Sequence, residues 1–142
     1  MTPTLMGRWQ TRILLLTIVG FPITLPFSLG ILGPGASPVF GLVLLYVIGL
    51  GLLWDTIYNT LQKFRWDRDW PGLLQLVAGI WEAIFLGLVI KTIGLPGIAP
   101  EALSLRWFAF HYSCVWLGVY LVSQSIVRIL FPRWRFRGGR WL

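Results

Sequence analysis

The sequence predicts an all-α integral membrane protein, a bundle of four transmembrane helices with both termini in the cytoplasm. Three observations predict it. Of 142 residues, 56% are hydrophobic and only 12% are charged, about half the charged share of a soluble domain. A water-soluble chain this short has too little interior for that much apolar surface. The apolar residues also fall into four blocks of about twenty, the length a helix needs to cross hydrocarbon.

The first block runs from about 13 to 33, after a polar lead containing Arg8, Trp9 and Arg12. A basic start before an apolar run also suits a secretory signal, but the run is long for a signal core and no A-x-A site follows it. Pro22 and Pro26 lie inside the block and predict a kink or local break. Thr17, Thr24 and Ser28 offer hydroxyls to the carbonyls this frees. The turn Gly33-Pro-Gly-Ala-Ser-Pro38 leads to a second helix over about 39–62. Its Gly51, Asp55, Tyr58, Asn59 and Gln62 recur at steps of three and four and share one face. That predicts an amphipathic extension lying partly in the headgroup layer. The third helix spans about 71–95, with Asp69 as cap and Pro71 in a first turn that needs no amide hydrogen. Gly79, Ala83 and Gly87 form a small-residue stripe suited to close approach of a neighbouring backbone. The fourth helix spans about 104–131, from a Pro100-Glu101 start that suits a first turn. A basic aromatic tail, 132–142, follows.

Between the second and third blocks, Trp54–Pro71 reads as a charged cytoplasmic hinge (about 55–70). Trp54, Asp55, Arg65, Trp66, Asp67, Arg68, Asp69 and Trp70 are its candidate docking residues. The spacing of Lys63–Asp67 and Arg65–Asp69 equally suits a surface helix whose charges pair with one another. In the tail, Arg133, Trp134, Arg135 and Arg137 alternate bases with aromatics around Phe136. Such a pattern anchors to anionic headgroups or docks to an acidic partner. With the bases beside apolar blocks, the net charge of +7 points to lipid and not to nucleic acid.

Orientation follows from where those bases lie. Arg8 and Arg12 precede the first block, Lys63, Arg65 and Arg68 lie in the hinge, and Arg128, Arg133, Arg135, Arg137 and Arg140 lie at the C-terminus. Only Lys91 and Arg106 flank the other two loops. The positive-inside rule then places the termini and hinge in the cytoplasm, in a bacterial inner membrane or one continuous with it in topology.

Glu82 is the sharpest chemical signal. It lies near the middle of the third block, where an ionised residue costs about +2.5 to +3.5 kcal/mol on insertion scales. With no cation in view, its carboxyl is expected to have a raised pKa, which favours the neutral form. It either ties helices together or serves proton, cation or ligand traffic. His111 is the only histidine, within about 6 Å of the depth of Glu82 by helical rise, so a contact between them is open. A lone histidine cannot give bis-His haem ligation and with Cys114 makes a poor metal site. It reads as a hydrogen-bonded bundle residue or a pigment ligand in a larger assembly. Gln75, Gln124 and Ser125 read as a polar clasp between the third and fourth helices. Cys114 is a single thiol, so no internal disulfide is available. No cofactor is implied.

The run Trp54-Asp55, Tyr58, Leu61-Gln62, Arg65-Trp66-Asp67, Asp69-Trp70-Pro71, with Gln75 and Glu82 downstream, resembles small four-helix bacterial membrane proteins of no known activity. Small multidrug transporters also combine four short helices with a membrane glutamate, but theirs is on the first helix, where this chain has no acid. The reading this supports is a non-enzymatic accessory or assembly subunit of a larger membrane complex. The alternative is an oligomeric transporter or channel using Glu82, and an enzyme or a quinone or pigment binder comes after both. In cysteine-labelling experiments, Arg68→Cys should react only with reagent on the cytoplasmic side. Reaction from the opposite side alone would invert the topology.

Overall fold

The computed structural model describes residues 4–66 and 71–130. Four helices are long and apolar enough to cross a membrane: α1 (Leu5–Ser28), α2 (Val39–Lys63), α3 (Gly72–Thr92) and α4 (Leu105–Leu130). Successive helices run antiparallel. One end of the bundle therefore holds the starts of α1 and α3 and the finishes of α2 and α4; it is called the hinge end here, and the opposite one the turn end. Helix α1 packs on α2 and α4, and α4 packs on α3, while α2 and α3 touch far less.

Helix α1 begins eight residues before the expected start at 13, capped by Thr4, whose Oγ1 accepts from the Gly7 amide at 3.2 Å. Arg8 and Arg12 are therefore inside the helix and not in a polar lead. Arginines are tolerated there because partners on other helices take their charge, as described below. A single π turn, Leu16–Gly20, interrupts α1, with the Phe21 amide bonded to the Leu16 carbonyl. It immediately precedes Pro22, whose ring clashes with the carbonyl four residues back, and the wider turn relieves that clash. Thr24 donates to the Gly20 carbonyl at 2.8 Å, a hydroxyl contact of the kind expected beside a proline break. The helix stops at Ser28 rather than 33, where Gly30, at φ 77°, begins a run of left-handed glycines.

Helix α2 extends to Lys63, one residue beyond the expected 62. The face containing Gly51, Asp55, Tyr58 and Gln62 is buried, while Leu53, Ile57 and Leu61 point outward. The helix is amphipathic as expected, but its polar face turns inward and its apolar face outward. Leucine outward and aspartate inward suits a helix solvated by lipid. Trp54 and Asp55 thus belong to the bundle and not to a surface hinge. The helix ends at Lys63 and Phe64–Trp66 are not helical; the expected partners of Lys63 and Arg65, Asp67 and Asp69, lie outside the described residues. Trp66 is 95% exposed. The candidates Asp67, Arg68, Asp69, Trp70, Arg133, Trp134, Arg135 and Arg137 lie outside the described residues.

Pro71 is the N-cap residue of α3, which ends at Thr92, before Gly94 turns left-handed at φ 76°. The following loop folds onto itself through reciprocal Leu95–Ile98 amide bonds of 2.9 and 2.7 Å and buries Ile98 and Leu103. Residues Ala99–Ala102 close a turn, so α4 starts at Leu105 and not at Pro100; Ser104 Oγ caps it by accepting from the Trp107 amide. Ser125, at φ −111° and ψ −80°, breaks α4 before a last helical turn.

The largest apolar core lies toward the turn end, around Phe27, Phe40, Val43, Leu86, Ile90 and Phe108. The small-residue stripe on α3 receives side chains, not a backbone. A Cβ on Gly79 would stand 1.8 Å from Nε1 of Trp116, and one on Gly87 would stand 3.0 Å from the Phe108 ring. Gly79→Ala must expel the Trp116 indole, an overpacking cost of about 1–3 kcal/mol. Gly49→Ala, with no atom within 4 Å of its Cβ, should be neutral. Denaturation midpoints of the two variants in detergent micelles should differ in that order.

Candidate functional site

The site begins with the depth of three charges. Arg12 is seven residues from the start of α1, Asp55 eight from the end of α2 and Glu82 ten from the start of α3. By helical rise these are roughly 10–15 Å from the hinge end, so three helices bring their charges to one level. Arg12 Nε donates to Asp55 Oδ2 at 2.8 Å and Nη2 donates to Oδ1 at 3.0 Å. On its other edge, Nη1 donates to Glu82 Oε2 at 2.9 Å and Nη2 to Oε1 at 3.0 Å. One guanidinium thus holds both oxygens of two carboxylates, the planar forked geometry for which arginine is suited. Asp55 is fully buried, and the Glu82 side chain is 9% exposed.

Gly51, one turn before Asp55, makes room for this contact. A Cβ there would lie 2.2 Å from Nη1 of Arg12. The expectation of a Glu82 without a cation is therefore corrected: its partner is Arg12, contributed by a segment assigned from sequence to the lead outside the membrane. One turn earlier on α1, Arg8 is 1% exposed and hydrogen-bonds to Gln62 Oε1. Two arginines and two carboxylates balance to zero charge within the bundle.

The other sequence-selected groups have separate roles. Trp54 stacks on Tyr58 and meets Trp81 and Phe85 edge-on, filling the side of the bundle where α2 and α3 pack least. Gln75 accepts from Gln124 Nε2 at 2.9 Å and donates to Ser123 Oγ at 3.1 Å. The expected α3–α4 clasp is present, with Ser123 in place of Ser125, whose hydroxyl instead bonds its own helix at Leu121. Tyr112 adds a second tie by donating to the Gly79 carbonyl at 2.9 Å. Cys114 is partly buried at the edge of the core.

His111 does not join Glu82. Its Nε2 lies 2.9 Å from Thr24 Oγ1, whose proton is already given to Gly20. Thr24 therefore accepts, and the histidine carries its proton on Nε2. Nδ1 is buried without a hydrogen-bond partner among the described residues, and the imidazole packs against Phe27 and Phe40 with ring centroids 5.0 and 5.2 Å away.

Comparison with family models, with characterised proteins and with solved structures finds no match. What the site does must therefore be argued from its own chemistry. Sequence reasoning missed Arg12 and Arg8. A signal was present: Arg8 and Arg12 are four apart on one helical face, as Asp55, Tyr58 and Gln62 share another, and matching their depths pairs them. Arg12→Leu should be severely destabilising, on the order of 3–5 kcal/mol, because it strands two buried carboxylates. Adding Asp55→Asn and Glu82→Gln to Arg12→Leu should recover much of that loss. Thermal unfolding in detergent of the single and triple variants checks both.

Proposed function

We propose that this chain is a non-enzymatic, multi-pass membrane protein, an accessory or assembly subunit of a larger membrane complex. The observation that carries this reading is the saturation of its intramembrane acids: all four oxygens of Asp55 and Glu82 are held by Arg12. A carboxylate that couples proton or cation movement must release its partner in every cycle. Here release would strand an arginine and two acids in the interior, where breaking a buried pair costs about 3–5 kcal/mol. The arrangement suits a lock that holds a fixed bundle.

Orientation belongs to the same proposal. With Arg8 and Arg12 neutralised inside the bundle, the positive-inside argument rests on the hinge and tail: Lys63, Arg65, Arg68, Arg128, Arg133, Arg135, Arg137 and Arg140, against Lys91 and Arg106. Lys91 is further engaged with the Pro100 carbonyl at 2.8 Å. That bias favours a cytoplasmic hinge end in a bacterial inner membrane. There the hinge, with Arg65 and the exposed Trp66, and the tail meet anionic headgroups and the partner protein.

The test is purification of the tagged chain in mild detergent, with mass spectrometry of the proteins retained. A stable larger complex is expected. Reversing charge at Arg65 and Arg68 together should release the partner while the chain remains in the membrane. The alternative, an oligomeric transporter or channel using Glu82, predicts a lone homo-oligomer. It also predicts pH-driven flux in reconstituted vesicles that Glu82→Gln abolishes. On the subunit reading no such flux exists to be lost, and Glu82→Gln, which leaves Arg12 one charged partner short, should instead lower thermal stability.

A further inference from the structure

Between α1, α3 and α4 lies a cavity of about 70 Å³ that reaches from Gln75 to Glu82. Over Leu5–Leu15, α1 packs on α2 and barely meets α4, whereas the π turn, Leu16–Gly20, packs closely on α4. The space beside the earlier segment is walled in part by apolar groups, among them Leu16 and Val119. The rest of its wall is polar and includes the Arg12–Glu82 pair.

The protein itself uses only part of the hydrogen-bonding capacity of that wall. A carboxylate has about four lone-pair sites, and Arg12 fills two of those on Glu82. The Gln75 amide accepts one bond from Gln124 and gives one to Ser123, which leaves it a second donor and a second lone pair. Tyr112 gives its proton to the Gly79 carbonyl, and its oxygen can still accept. Trp116 Nε1–H, which also lines the cavity, makes no hydrogen bond among the described residues. Donors and acceptors therefore face one space from two helices, and Gln75, Glu82 and Tyr112 are all buried.

What fills the space must serve both kinds of group. A lipid chain would serve neither, and a polar group left unmet in an apolar setting is costly. A charged guest would upset the neutrality of Arg8, Arg12, Asp55 and Glu82. Water both donates and accepts, needs two to four polar partners, and takes up about 30 Å³ each, so about two waters fit.

We propose that this cavity is a water site, in which a small cluster of ordered water bonds Glu82, Tyr112, Gln75 and Trp116 and solvates the Arg12–Glu82 pair from the side of α4. The pair is then hydrated inside the bundle, which lowers the desolvation cost of holding charge at that depth. This inference does not rest on the subunit reading; each can fail alone.

The test is X-ray radiolytic footprinting of the full chain in phosphatidylcholine nanodiscs. Radiolysis oxidises side chains that lie beside ordered water, and mass spectrometry reads the sites. Trp81 is the matched control. Both tryptophans stand roughly 12–14 Å from the hinge end by helical rise, but Trp81 is on the outward face of α3, half exposed to lipid. Trp116 should be oxidised several-fold faster than Trp81, and Val119 several-fold faster than Val43 of the apolar core. Val119→Phe fills the cavity and should bring Trp116 down to the rate of Trp81, while Leu45→Phe, on the outward face of α2, should leave it unchanged. Equal oxidation of Trp116 and Trp81 in the wild-type chain would overturn the proposal. So would unchanged oxidation of Trp116 in a Val119→Phe chain that keeps wild-type circular dichroism and elution. A dry apolar cavity takes up xenon, so crystals of the wild-type chain under xenon pressure give a second reading that needs no variant. No xenon is expected between Leu16 and Val119, and xenon bound there would also overturn the proposal.

Discussion

One side chain joins three helices. Arg12 reaches from α1 to Asp55 on α2 and Glu82 on α3, and the other polar features of this half depend on it. Removing Arg12 would leave two buried carboxylates without their partner, and removing both acids would leave a buried guanidinium without its own. Gly51 is part of the same constraint, since any Cβ there would occupy the guanidinium's place. The weak direct contact between α2 and α3 is also accounted for. These helices are joined through Arg12, through the aromatic fill around Trp54 and by their connecting segment, more than by their own surfaces.

The second constraint is the paired prolines of α1. Both halves of α1, on either side of the π turn before Pro22, pack on α2, and the later half adds close packing on α4. The later half packs on α4, with Gly118 admitting Ile23 and Gly20 lying against Leu44 and Val115. The earlier half delivers Arg8 and Arg12 to α2 and α3. On the far side α3 and α4 are held by the Gln75 clasp, the Tyr112 tie and two rings set over Gly79 and Gly87. The ion pairs lie toward the hinge end, and toward the turn end His111 sits among Phe27 and Phe40. In lipid, where apolar burial drives little helix association, close packing and interhelical hydrogen bonds hold a bundle together. The ties seen here are of the kind that suits a bundle in lipid.

The sequence by itself determined the number of the helices and the approximate limits of the last three, because each must satisfy its own backbone and carry enough apolar surface. It also determined which residues of α2 share a face (though not that the face turns inward), the proline break in α1 and the Gln75–Gln124 clasp. Only the tertiary structure decided which charges belong to the interior. Arg8 and Arg12 look like a solvated lead, and Trp54 and Asp55 look like a surface hinge, as long as each is read within its own segment. Local hydropathy counts every charge as a cost, whereas a partner from another helix removes that cost. Pairing between residues 43 and 70 positions apart leaves no mark on either segment alone.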